Sequence, residues 1–192
     1  LSAYAASKAA GEAAAGPATI LRPTAIYGPG DRATLALFRS AMLPRQPLPG
    51  PAGARVTVIH VGDVARAVVA MAAHDAPPAT YELTDENRAG LSWEALIAAA
   101  CRACGTRFRP VRVPAAALGL AGWAGDIAAR MGTRTATLTS DKRREILHPD
   151  WSSAPDAQPP AELWQPGVTL ETGLAGTVAW YRAAGWLAPA RD

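Results

Sequence analysis

The first 85 residues alternate between segments that favour a helix and segments that favour a strand. Residues 1–15 are rich in Ala, a strong helix former, and Gly16-Pro17 end this segment. Residues 18–27 are β-branched and mostly apolar, which predicts a strand buried on both faces of a parallel sheet. Residues 55–61 are expected to form another strand. The alternation predicts an α/β fold, although too few strands are present to complete a doubly wound sheet.

Other segments of this half carry shorter signals. A short helix is expected around residues 33–41, and the Pro- and Gly-rich residues 44–53 are expected to form a mobile loop over a site. Asp63 precedes an Ala- and Val-rich segment, so we expect it to cap a helix over residues 64–74. Residues 81–84 are expected to form a short strand.

The second half of the chain is mainly helical in its pattern. A helix begins at Ser92 and ends at Gly105, and its apolar residues fall on one face at steps of four, four and three: Trp93, Ile97, Cys101 and Cys104. A strand is expected near residues 108–113. Further helices are expected over residues 115–131, over residues 140–147, and in a last segment marked by Leu170, Leu174, Val178 and Tyr181.

Composition and charge exclude several classes of function. The positive residues behind the net charge of +3 are mostly arginines scattered along the sequence, which does not indicate nucleic-acid binding. No apolar segment approaches the roughly 20 residues of a membrane-spanning helix. Because the chain has only two cysteines, no disulfide framework is expected, and a reducing, cytoplasmic location fits.

Cys101 and Cys104 form a CxxC pair, a spacing that also occurs in redox and metal sites. They lie on the apolar stripe of a helix, with no second cysteine pair or nearby histidine, so we expect core packing and predict no metal site. The tryptophans of the C-terminal part, among them Trp151 and Trp164, are also expected to be packing anchors.

Tyr4 and Lys8 stand four residues apart at the start of the chain, so on a helix their side chains share one face. A free tyrosine loses its proton near pH 10, and a cation held close favours the phenolate. Such a tyrosine can exchange a proton with a substrate hydroxyl near neutral pH. The pair is a candidate catalytic site, although this spacing also occurs by chance on surface helices.

Three segments extend this signal: YAASK at residues 4–8, LRPTAIYGPGD at residues 21–31 and VIHVGDVARA at residues 58–67. In this order and at these separations they resemble the extended short-chain dehydrogenase/reductase group, also called the NAD-dependent epimerase/dehydratase family. The likeness continues through YELT, LSWEALIAAA and AWYRAAGWL, so it covers nearly the whole chain.

The resemblance implies a function and a set of site residues. Tyr4 matches the catalytic acid/base of the family, and Lys8 matches the residue that lowers its pKa and binds the nicotinamide ribose. Pro23 and the backbone of Thr24, Ala25 and Ile26 match the strand end that packs on the nicotinamide of NAD or NADP. The implied reaction is hydride transfer to or from an alcohol or ketone substrate. The alternatives are an epimerase or dehydratase of a sugar-type substrate, and a non-catalytic binding module that reuses the fold.

The sequence departs from the family pattern in ways that limit this interpretation. The glycine-rich GxxGxxG turn and the catalytic Ser or Thr would lie upstream of Leu1, so we expect a fragment that is inactive alone. Enzymes of the family that act on nucleotide sugars usually carry an Arg-Asp pair before the histidine-containing strand. Here Arg55, the candidate substrate-binding residue, is one position off and no acid follows it, which favours an alcohol, ketone or lipid-like small molecule.

The resemblance also implies a domain organisation. Residues 1–85 would be the C-terminal remainder of a Rossmann-like NAD(P)-binding core with a parallel sheet, carrying a substrate-loop insertion at about residues 31–55. Residues 86–192 would be a small, mainly helical substrate-binding lobe of mixed α/β structure. A homodimer through the Tyr4 helix is possible, because this arrangement is common in the family.

Overall fold

A computed structural model of the chain describes residues 3–74, 78–112 and 148–189. The helices expected over residues 115–131 and 140–147 lie outside the described residues. The described α-helices are α1 (Ala3–Ala14), α2 (Leu35–Ala41), α3 (Val61–Ala73), α4 (Trp93–Cys104) and α5 (Leu170–Ala183). The described strands are β1 (Ile20–Pro23), β2 (Ala25–Tyr27), β3 (Gln46–Leu48), β4 (Arg55–Val56), β5 (Val58–His60), β6 (Thr80–Leu83), β7 (Leu91–Ser92), β8 (Pro110–Arg112) and β9 (Asp150–Trp151).

Parallel pairing confirms the α/β prediction for the first half of the chain. β1 pairs in parallel with β6, and β2 pairs in parallel with β5. The single strand expected over residues 18–27 is divided at Thr24, where the chain changes partner. The backbone N–H of Thr24 donates to the carbonyl of Leu83 at 3.0 Å, and that of Ala25 donates to the carbonyl of Thr57 at 3.4 Å.

The expectation that this strand is buried on both faces is wrong. Arg22 and Ala25 are exposed, and Ile26 keeps 39% of its surface accessible. Tyr27, by contrast, is almost completely buried, because it points into the main core. A mostly apolar strand segment therefore has one side exposed within the described part of the chain.

The connection over residues 44–53 contains a strand, β3, that the sequence did not indicate. β3 pairs in parallel with β8, and Gln46 within it is completely buried. The Gln46 side-chain amide donates to the carbonyl of Leu43 at 2.6 Å and accepts the backbone N–H of Arg109 at 2.6 Å. Because these bonds tie both ends of the amide, the connection is anchored to the second half of the chain.

Helix α4 begins and ends where the sequence predicts. The Ser92 hydroxyl accepts the backbone N–H of Ala95 at 3.1 Å, and Gly105 ends the helix in the left-handed conformation at φ 72°. Cys101 and Cys104 are buried free thiols in the main core, which confirms the core-packing prediction. Helix α5 also places its predicted stripe, from Leu170 to Tyr181, in this core.

The prediction that Asp63 caps a helix is wrong. Helix α3 begins at Val61, and the cap is His60, whose ring accepts the backbone N–H of Gly62 at 3.1 Å. The Asp63 carboxylate is completely buried, forms an ion pair with Arg66, and accepts the backbone N–H groups of the segment before α5. It therefore joins two distant parts of the chain.

The main core takes residues from both sides of residue 85. Phe38 of α2 and Ile97 of α4 belong to it, together with the buried face of α5. A smaller core lies between α3 and β6 and includes Trp164, which is buried as expected. Among the described residues, no helix is both long enough and apolar enough to cross a membrane.

Candidate functional site

A pocket of about 600 Å³ lies where β1 ends and β2 begins. Three separate segments and three single side chains form its wall: residues 22–25, 56–57 and 150–153, with Glu82, Trp93 and His148. The pocket therefore combines the ends of the parallel strands with parts of the second half of the chain. Ligands of open α/β sheets bind outside the carboxyl ends of the strands, which makes this pocket the candidate site.

Thr57 fixes the two sides of the pocket to each other. Its carbonyl accepts the backbone N–H of Ala25 at 3.4 Å. Its own backbone N–H and hydroxyl both donate to the carbonyl of Trp151, at 3.2 Å and 2.7 Å. The backbone of Trp151 is therefore held at a defined distance from the end of β1.

Glu82 anchors the segment that follows Trp151. Its carboxylate accepts the Ser153 hydroxyl at 2.8 Å and the backbone N–H of Ala154 at 2.9 Å. The Gln158 side chain donates to the Ser153 oxygen at 2.8 Å. The carboxylate of Glu82 is thus hydrogen-bonded to other residues of the pocket wall.

Arg22 connects the pocket to helix α1. Its guanidinium donates to both carboxylate oxygens of Glu12, with Nε at 3.0 Å and 3.1 Å. The hydrogen bonds from Arg22 lower the pKa of the Glu12 carboxyl below its ordinary value. The ion pair therefore holds the C-terminal part of α1, which carries Glu12, next to β1.

His148 and Trp151 form the outer part of the wall. Their ring centroids lie 4.6 Å apart, and the backbone N–H of Asp150 donates to Nδ1 of His148 at 3.2 Å. The prediction that Trp151 is a buried packing anchor is wrong, because 45% of its surface is accessible. An exposed tryptophan in a pocket wall is available for contact with a bound molecule.

Residues 1–83 match the sequence model of the NAD dependent epimerase/dehydratase family. This part of the chain is similar to that family. The match confirms the resemblance noted in the sequence and covers α1, the strand end at Pro23 and the first parallel strand pairs.

Known proteins extend the likeness beyond this family region. Ceramide reductase of Caulobacter vibrioides is 40% identical, over 97% of this chain and 59% of its own length. The structure of dTDP-glucose 4,6-dehydratase from Bacillus anthracis, in complex with NAD, matches with a TM-score of 0.61 and 16% identity, over 100% of this chain and 56% of its own. RMD from Pseudomonas aeruginosa, complexed with NADPH, matches with a TM-score of 0.52 and 16% identity, over 90% and 50%. The chain thus spans between half and three fifths of these proteins.

The structure places most of the predicted cofactor residues together. Pro23, Thr24 and Ala25 line the pocket, whereas Ile26 and Lys8, which were also predicted to bind the cofactor, do not. The Thr24 hydroxyl is enclosed and has no hydrogen-bond partner among the described residues. The apolar side chains of Pro23 and Ala25 beside an unpaired hydroxyl are compatible with a nicotinamide ring and its carboxamide, and so with the family's cofactor.

The two predicted catalytic residues lie in helix α1. The backbone of Tyr4 is in its first turn, and Lys8 is exposed one turn later. Arg55 does not belong to the described pocket wall. Its guanidinium donates to the carbonyls of Ala89 and Gly90, at 2.6 Å and 3.2 Å, so its role in substrate binding stays a prediction.

Sequence reasoning missed Trp93, Thr57 and the wall segment from His148 to Ser153. Trp93 was assigned to the apolar stripe of α4, and it does pack against the main core while also lining the pocket. Residues 150–153 carry no motif of their own. Their pairing with β4 across the chain is the feature that makes them part of the site.

Proposed function

We propose that the complete protein containing this chain is an NAD(P)-dependent oxidoreductase that acts on an alcohol or ketone, with Tyr4 as acid/base and Lys8 as its activating cation. The observation that carries the proposal is the pocket itself. Its wall combines the strand end at Pro23–Ala25, where the family pattern puts the nicotinamide, with a separate segment able to hold a substrate.

The residues divide the chemistry between binding and proton transfer. Pro23, Thr24 and Ala25 would hold the nicotinamide, which supplies or accepts the hydride when it is bound. Lys8 stands one helical turn from Tyr4, so its charge would favour the phenolate and bring proton exchange at Tyr4 Oη into the neutral range. A ketone oxygen would take its proton from this hydroxyl during reduction.

The known relatives support the cofactor and the type of substrate. Ceramide reductase, at 40% identity, supports reduction of a ketone on a lipid-like molecule. The structures solved with NAD and with NADPH support a nicotinamide cofactor and leave the choice between the two open. The family pattern supports residues 1–85 as the cofactor-binding part and residues 86–192 as the substrate-binding lobe.

Replacing Tyr4 tests the proposal directly. In the protein made from the complete reading frame, Tyr4→Phe should lower turnover by about 10²- to 10⁴-fold, because the positioned proton donor is lost. Turnover is measured as NADH or NADPH oxidation with a long-chain ketone. Tyr81→Phe makes the same chemical change in β6, outside the pocket wall, and should leave turnover unchanged. Unchanged turnover in Tyr4→Phe, or failure to bind either nicotinamide nucleotide, would refute the proposal.

An epimerase or dehydratase is the second candidate, favoured by the family model that residues 1–83 match. Such an enzyme returns the hydride to its substrate, so the nicotinamide shows no net change over a cycle. The NADH or NADPH assay therefore separates the candidates. Stoichiometric oxidation of the nucleotide supports the reductase, and product formation without net oxidation supports the alternative.

Helix α1 also supports a proposed homodimer. Residues 6–11 of this helix are exposed, so this part of α1 is accessible to a second copy of the chain. The mass of the complete protein in solution tests the dimer. A monomeric mass at all accessible concentrations would exclude it.

A further inference from the structure

We propose that the pocket binds the aliphatic chain of the substrate, with the indole rings of Trp93 and Trp151 as its aromatic walls. The inference rests on the proposed function in one respect, because the reacting carbon of the substrate would lie at the Pro23–Ala25 side of the pocket. The composition and the charges of the pocket wall support the binding of an aliphatic chain in the rest of the pocket.

The wall includes two large apolar side chains. Trp93 stands at the first position of α4, and Trp151 belongs to β9. Trp151 keeps 45% of its surface accessible, although tryptophan has the largest apolar surface of any side chain. Covering these groups with methylene groups removes apolar surface from water on both partners, which favours binding.

The charges of the wall disfavour the diphosphate of a nucleotide sugar. Among the lining residues that the structure describes, Arg22 is the one guanidinium or ammonium group, and both carboxylate oxygens of Glu12 engage it. Glu82 and Asp150 add two negative charges. These two carboxylates would repel a diphosphate, whereas an alkyl chain carries no charge to repel.

The backbone that carries the two tryptophans is held in place before any ligand binds. The carbonyl of Trp151 accepts two hydrogen bonds from Thr57, and Trp93 follows directly after Ser92, which caps α4. Walls that are fixed in advance lose little conformational entropy on binding. The pocket is therefore suited to bind a chain without rearrangement of the backbone.

Quenching of tryptophan fluorescence by a brominated chain tests the inference. Bromine quenches only tryptophans that it contacts, so bromododecanol should quench the complete protein, while bromoethanol at the same concentration should not. The variant Trp93→Phe/Trp151→Phe keeps aromatic walls but removes the two fluorophores, so most of the quenching should disappear. Trp180→Phe, an exposed tryptophan on α5 outside the pocket, should leave it unchanged.

Affinity is then measured by calorimetry with dodecanol. Trp151→Arg places a charge in the apolar wall and should weaken binding by about tenfold, whereas Trp151→Phe should change it by less than about twofold. UDP should not displace dodecanol. Displacement by UDP, or full quenching in the double phenylalanine variant, would overturn the inference.

Failure of the inference and failure of the proposed function give different results. The fluorescence and calorimetry experiments need neither turnover nor nicotinamide, so binding of the chain without hydride transfer would retain the inference and refute the function. Hydride transfer at equal rates to short and long ketones, without quenching, would retain the function and refute the inference.

Discussion

Helices α1 and α4 have the same length, 12 residues, and both are rich in alanine, but different forces hold them. In α4, six residues are buried, Ser92 caps the start and Gly105 ends the helix. In α1, residues 6–11 are all exposed. One helix is part of the core, whereas the other lies on the surface and is connected to β1 by the ion pair of Glu12 with Arg22.

This difference separates the packing part of the molecule from the part proposed to carry the chemistry. The stability of a helix of about 12 residues is marginal on helix propensity alone. Helix α4 therefore depends on its buried residues, and α1 depends on contacts such as the Glu12–Arg22 ion pair. Mobile or weakly held elements commonly carry function because they can adjust to a ligand. The following predictions test whether the two helices differ in this way, from the largest expected effect to the smallest.

Truncation in α4 should produce the largest effect on stability. Ile97 is 2% exposed, so Ile97→Ala should lower the free energy of unfolding by about 2–5 kcal/mol, through lost burial and the cavity that remains. Urea denaturation measures this change. Ile97→Val should cost about 0.5–1.5 kcal/mol at the same position. A loss below about 1 kcal/mol for Ile97→Ala would mean that α4 is not held by its buried stripe.

A thiol in α4 should react about two orders of magnitude more slowly than a thiol introduced into α1. Burial raises the pKa of the Cys104 thiol from 9.0 to about 11, and burial also raises that of Cys101. Because the thiolate is the reacting form, native Cys104 should react with iodoacetamide about a hundredfold more slowly than an ordinary thiol. Ser7→Cys supplies the exposed comparison in α1, and peptide mass spectrometry gives both rates. Equal rates would show that α4 opens as readily as α1.

Replacement of glycine by alanine should have opposite signs in the two helices. Gly11 lies inside α1 and Gly105 ends α4 at φ 72°, and a Cβ would meet no atom within 4 Å at either position. Gly11→Ala should therefore raise the free energy of unfolding by about 0.5–1 kcal/mol, because alanine favours the helix. Gly105→Ala should lower it by about 1–2 kcal/mol, because a Cβ strains the left-handed conformation.

Urea denaturation compares the two alanine variants with the unsubstituted chain. Because free space is equal at the two glycines, the difference in sign isolates the backbone conformation as its cause. Stabilisation by Gly105→Ala would show that α4 ends differently from the structure. Destabilisation by Gly11→Ala would show that α1 is not a regular helix at this residue.

Features that depend on a residue's own element were predictable from the sequence. The cap at Ser92, the end at Gly105 and the buried cysteine stripe follow from helical periodicity and local backbone preference. The alternation of helix and strand segments predicted an α/β fold with parallel strands, although not which strands pair. The order of three motifs also singled out the strand end at Pro23, which lines the pocket, whereas the catalytic roles of Tyr4 and Lys8 stay predictions.

Features that depend on pairing between distant residues were not predictable. Thr57 and Trp151 are 94 residues apart, and their hydrogen bonds create one side of the pocket. Asp63 and Gly167 are 104 residues apart, so the local pattern indicated a helix cap where the carboxylate instead binds a remote backbone. Local patterns specify which residues are polar or apolar, but several remote partners satisfy the same pattern.

Titration of Glu12 has the smallest expected effect, and it is the most specific test of how α1 is held. The hydrogen bonds from Arg22 hold the pKa of the Glu12 carboxyl below its ordinary value of 4.5. A lowered folded-state pKa means that the pair stabilises α1 above the ordinary value and that this contribution is lost as the pH falls through the lowered pKa. In Arg22→Gln the pKa of Glu12 should return towards 4.5, as measured by NMR of the labelled carboxyl carbon.

The carboxyl of Asp31 is the control for this titration, because its hydrogen bonds come from Ala33 and Thr34 and not from Arg22, so it should titrate identically in both proteins. If Glu12 titrates at its ordinary value before the substitution, the ion pair does not form in solution. Helix α1 would then be held by other contacts, and Arg22 would be an unengaged cation in the pocket wall. The charge argument against a diphosphate would fail together with this pair, so the titration tests both the comparison of the helices and the assignment of the pocket.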